Sequence, residues 1–194
     1  MMPSIELRLQ TMVKAMADVI LPAIAPENAL AREQAPLMTA QLRMIAKQWP
    51  RAAEYDALEL RDIAALAERL CARATGGAET RGAAEALAAL LRRREAEPTS
   101  AVREGRAAIA NAIDALIRAS VVDGDEAFRR MSSDAILEYS GLQAWRGRAW
   151  FAGCGMDPER ALFPEIDDVL AQAATPRANR PAGDPIANAE KEDP

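Results

Sequence analysis

Six of the eight aromatic residues, Phe128, Tyr139, Trp145, Trp150, Phe151 and Phe163, fall in one stretch, and the chain before it is rich in alanine with larger apolar residues at helical spacing. Helices lined with alanine approach closely but bury little area per residue, whereas one buried aromatic side chain covers roughly 150–250 Å². The chain is therefore expected to be helical, with 128–163 as the wedge that fills the bundle.

Ser4 is the expected N-cap of a first helix that carries Ile5, Leu9, Met12, Met16, Val19 and Ile20 and ends near Pro22. Met12 and Met16 lie on the stripe expected to be buried, as adaptable core filler. A second helix runs from Pro26 to Trp49, where Pro50 stops it, and Pro36 inside it is expected to kink or interrupt it. A third, from Arg51 to about Ala74, carries Tyr55, Leu58, Ile63, Leu66 and Leu70 and breaks at Gly76-Gly77. A fourth closes in Arg92-Arg93-Arg94, read as a solvated cluster that complements the helix dipole.

Pro98 ends that segment, and Thr99 or Ser100 caps a fifth helix with Val102, Ile109, Ile113, Leu116 and Ile117 in register. Asp114 is placed at the edge of that stripe, in water. Asp123-Gly124-Asp125 is a turn, and Phe128 stands where a calcium loop needs glycine. A helix from Glu126 to Tyr139 is expected to end near Gly141, with a further helical piece from Leu142 to Phe151 and a last helix opening at Pro164. The residues beyond Ala174 are rich in Pro, Ala and charge, with almost no large apolar side chain, which predicts disorder. The expected fold is all-α, an antiparallel bundle of six or seven helices over residues 1–173, with a disordered C-terminal tail, 174–194.

Composition narrows the chemistry. There is no histidine, which removes Ser-His-Asp and Cys-His catalysis, His-ligated zinc and the Glu-x-x-His pairs of di-iron bundles. No metal site and no cofactor is expected. A net charge of −5 opposes nucleic-acid phosphates and anionic membranes. The N-terminus lacks a glycine-centred helix-turn-helix, so no nucleic-acid partner is expected. No apolar run is long enough for a membrane span, and MMPSIELRLQ has no basic segment followed by an apolar one. The expected location is the cytoplasm, and the Ala- and Arg-rich style suits a high-GC bacterium. Cys71 and Cys154 are then thiols.

The best candidate region for binding is again 128–163. Arginine beside aromatic faces holds phosphates, carboxylates or stacked bases, which marks Tyr139, Trp145, Arg146, Arg148, Trp150 and Phe151 as candidate ligand or partner residues. The simpler reading packs the aromatics as core or interface and pairs the arginines with Asp134, Glu138, Asp157 or Glu159. Cys154, between two glycines, is a candidate reactive thiol with no histidine to take its proton. Cys71 reads as a small hydrophobe.

The leading expectation is a non-catalytic accessory or interaction protein that forms a homodimer or larger homo-oligomer through an Ala-rich helix face or the aromatic stretch. The alternative is a binding module for an apolar or acyl/CoA-type small molecule, with Arg146 and Arg148 at the polar end. A His-free enzyme ranks last.

Overall fold

The computed structural model describes residues 2–94, 102–152 and 157–174, with the side chains of 172–174 excepted. The expected tail from 175 onward, the break at Pro98, the cap at Thr99 or Ser100, and Cys154 lie outside the described residues. Among those residues the protein is all-α, as the periodicity predicts. Its helices are α1 (Ile5–Ala15), α2 (Leu21–Ala23), α3 (Ala29–Gln48), α4 (Ala52–Arg73), α5 (Ala78–Arg94), α6 (Val102–Asp123), α7 (Glu126–Phe151) and α8 (Ile166–Ala174). They fall into two compact units, one formed by described residues of Met1–Ala53 and Trp145–Thr175, the other by those of Glu54–Ala144.

In the second unit the helices alternate in direction. Gly76, before α5, forms a single bridge with Gly124, after α6, and Gly105 near the start of α6 lies against Arg94 at the end of α5. Asp56 and Glu59 on α4 pair with Arg103 and Arg106 on α6, which sets the starts of those two helices side by side. The α5–α6 backbones approach closely because alanines line their contact. The core combines Ile63, Leu66 and Leu70 of α4, Leu87 of α5, Ile109, Ile113 and Leu116 of α6, and Phe128 of α7.

Two turns far apart in sequence close one end of this unit. The Asp123 carboxylate accepts the Glu79 and Thr80 amides at 2.9 and 3.0 Å and the Thr80 hydroxyl at 2.6 Å, so an aspartate from the end of α6 caps α5. The Asp123 carbonyl accepts the Gly77 amide at 2.8 Å, and the Thr75 carbonyl accepts the Asp125 amide at 3.0 Å. Gly76 sits at φ 152°, and a Cβ there would stand 2.7 Å from the Asp123 carbonyl oxygen. Only glycine suits both the dihedral and the approach.

In the first unit, the Ser4 hydroxyl accepts the Leu7 amide at 3.2 Å to cap α1, as expected. A π-helical stretch, Met16–Ile20, follows α1 and leads into Pro22, whose missing N–H and bulky ring do not fit a regular turn. Asn28, rather than Pro26, starts α3 by accepting the Ala31 amide at 3.3 Å. Pro36 lies within an uninterrupted α3. It removes one donor from the turn of Arg32, a residue that is exposed.

α7 also departs from expectation, since it runs unbroken through Gly141 and Gly147. A Cβ at either position would meet nothing within 4 Å, so these glycines carry only the intrinsic cost of about 1 kcal/mol each, which packing elsewhere along the helix outweighs.

Candidate interaction surface

The aromatic stretch does not act as a single wedge. Phe128 is 2% exposed and belongs to the core of the Glu54–Ala144 unit, and Tyr139 packs half-buried against that core. Trp145, Trp150 and Phe163 are half-buried in the other unit, and Phe151 is exposed. Aliphatic residues of α4, α5 and α6 make up most of that core, with Phe128 as the buried ring among them.

Of the candidate arginines, Arg146 is buried and Arg148 is committed within its own unit. Arg148 donates twice to Asp157, at 2.9 Å each, and to Glu159 at 2.5 Å, and its guanidinium lies 4.3 Å from the centre of the Phe163 ring. Two carboxylates hold this side chain firmly charged, and Arg148 in turn holds the Asp157 carboxyl below the usual range. These are two of the pairings that the simpler reading named. Cys71 is half-buried, its thiol facing the Ala84 carbonyl at 3.6 Å, and burial pushes its pKa up, away from reactivity. Asp114 is exposed and pairs with Arg118. Among the described residues no three Cys, Asp or Glu side chains are grouped to hold a metal ion, and no helix is long and apolar enough to cross a membrane.

The surface that stands out lies elsewhere, on α1 and α3. α1 buries none of its residues, and Met12, expected in the core, is 51% exposed. α1 and α3 run antiparallel, since Glu6 near the start of α1 lies close to Trp49 just past the end of α3. The shallow groove along one side of the pair is lined by Gln10, Lys14 and Asp18 of the first segment and by Arg43 and Ala46 of α3. Helical periodicity places Ile5 and Met12 of α1, and Met38 and Ile45 of α3, on the other side. These side chains are 41–57% exposed, and Val19, in the π-helical stretch, and Trp49, just past the end of α3, are 65% and 45% exposed.

Large apolar side chains left exposed together in this way are the kind of surface that marks an interaction site. Between them on α1 lie Leu9 and Met16, and on α3 Gln34 and Gln41. The exposed Arg8, three residues from Ile5 and four from Met12, lies beside them. The spacing was legible in the sequence; what concealed the surface was the assumption that an apolar stripe is buried within its own chain. No family model, curated protein or solved structure matches the chain.

Proposed function

We propose that this chain is a non-catalytic helical interaction protein of the cytoplasm that works as a homo-oligomer. The observation that carries this reading is the set of large apolar side chains left exposed on α1 and α3, Ile5, Met12, Met38 and Ile45 among them, because such side chains gain by being covered. The absence of histidine supports a non-catalytic role, since the remaining side chains offer no ready proton carrier near neutral pH. The alternative, an acyl-type ligand held at its polar end by Arg146 and Arg148, has less support because Asp157 and Glu159 already take up Arg148.

Native mass spectrometry of protein purified from its own host tests the reading. An integer multiple of 20.9 kDa without additional mass supports it. A single chain carrying extra mass that disappears on denaturation would replace it with the small-molecule reading.

A further inference from the structure

We infer that Asp123-Gly124 is a latent modification site, which the folded Glu54–Ala144 unit holds as aspartate and which converts to isoaspartate once the closed end formed by the two turns opens.

The reactivity is written in the sequence. Asp123-Gly124 is the only Asp-Gly pair in the chain, and there is no Asn-Gly pair. Glycine has no Cβ to shield its amide nitrogen or restrain its backbone, so that nitrogen reaches the preceding aspartate side chain more readily than in any other residue. In the reaction the Gly124 nitrogen gives up its proton and attacks Cγ of the neutral Asp123 carboxyl. A C–N bond forms, the carboxyl hydroxyl leaves with that proton as water, and a five-membered succinimide remains. Water then adds to one of its two carbonyls. Opening at the α-carbonyl routes the chain through Cγ and gives isoaspartate, whereas opening at Cγ restores aspartate. One water leaves and one returns, so the mass is unchanged.

The fold keeps the reacting atoms apart. The Asp123 carboxylate accepts the Glu79 and Thr80 amides and the Thr80 hydroxyl, which favour the ionised form that has no hydroxyl to lose. The Gly124 nitrogen, the nucleophile, donates to the Ser120 carbonyl at 2.9 Å. The Asp123 carbonyl accepts the Gly77 amide at 2.8 Å, which holds the peptide plane between the two residues where the last turn of α6 leaves it. Closing the ring requires that plane to turn about the Asp123 Cα–C bond, out of the helical setting, so these contacts have to be released first.

The product does not fit the same place. In isoaspartate the backbone is one carbon longer, and the former Asp123 carbonyl becomes a free carboxylate. The approach there is close, since a Cβ on Gly76 would stand 2.7 Å from that oxygen. The carboxyl that caps α5 is meanwhile consumed as a peptide carbonyl. Conversion therefore turns a transient local opening into a lasting one.

The test incubates the full chain for days at neutral pH, folded and in urea, and follows the tryptic peptide 119–129 by mass spectrometry with fragmentation that distinguishes the two isomers. Isoaspartate is expected to accumulate at position 123 about tenfold or more slowly in the folded chain than in urea. Thr80→Val, which removes the 2.6 Å contact to the carboxylate, is expected to raise the folded rate severalfold. The converted chain, separated from the unconverted one, is expected to melt at a lower temperature. Equal rates in the folded chain and in urea overturn the inference, as does an absence of isoaspartate even in urea. So does a folded Thr80→Val chain that converts no faster than wild type, or a converted chain that melts with the unconverted one.

Discussion

In the Glu54–Ala144 unit, Leu70, Leu87, Ile109 and Leu116 lose all contact with solvent, whereas in the other unit α1 buries no residue at all. Both regions are helical, and both have apolar residues at helical spacing. What separates them is the number of apolar faces that meet. Around the α4–α6 core, each helix offers its stripe to the others, and Phe128 closes the space between them. In the α1–α3 pair, small or short residues such as Ala35 and Thr39 are buried, while Ile5, Met12, Met38 and Ile45 face outward. Amphipathicity sorts side chains into two sides, but only a facing neighbour removes one side from water.

That contrast breaks most readily at its extremes. Phe128→Ala is expected to destabilise the protein by about 3–5 kcal/mol, as large-to-small changes in a closed core do, whereas Val19→Ala, measured at concentrations where the chain is monomeric, should change stability by less than about 1 kcal/mol. Denaturant unfolding of both variants decides it. Equal losses would mean that the two regions do not differ in packing.

The next largest effect sharpens the closed end of the Glu54–Ala144 unit. Gly76→Ala combines an unfavourable dihedral with a Cβ 2.7 Å from the Asp123 carbonyl, and its expected cost is about 1–3 kcal/mol. Gly141→Ala, in open space on α7, should instead stabilise by about 0.5–1 kcal/mol, and a loss there would show that the helix depends on glycine at that point. Smaller still is Lys47→Met, which removes the exposed pair between α3 and Glu165. Its expected cost is below about 1 kcal/mol and should fade further in high salt.

The last effect is confined to acid. The Thr80 hydroxyl, joined by the Glu79 and Thr80 amides, holds the Asp123 carboxyl below the ordinary aspartate range. The native pKa is lowered, so the unfolded chain takes up the proton first as pH falls. The stabilisation from this cap is complete above the unfolded-state value of about 3.9 and is lost as pH drops through the lower native value. Asp123→Asn should therefore flatten the fall in melting temperature between about pH 5 and pH 2, and parallel profiles for variant and wild type would remove Asp123 from the acid transition.

Much of the fold could be read from local pattern. The Ser4 cap, the stop at Pro50, the break at Gly76-Gly77 and the core positions Ile63, Leu66, Leu70, Ile109 and Leu116 all follow from spacing, caps and breakers, because these signals act within one or two helical turns. The same local rules misplaced two features. Glycine at 141 suggested a helix end, and a break was one of the two outcomes named for Pro36, yet α7 and α3 continue, since one weak residue costs less than the packing along the rest of a long helix contributes.

The candidate surface was legible only in part. Every residue of the α1 stripe was identified by its spacing, and the stripe was assigned to the interior because pattern alone does not count neighbours. The pairing of Arg148 with Asp157 and Glu159 was nameable in advance, since nine to eleven residues separate them. The seating of Asp123 on the start of α5 was not, for it joins groups more than forty residues apart. By itself, then, the sequence determined that the chain is helical, where most helices begin and end, and which side of each is apolar. The tertiary structure alone decided which of those sides meet, since that depends on contacts between distant segments whose closure no local preference specifies.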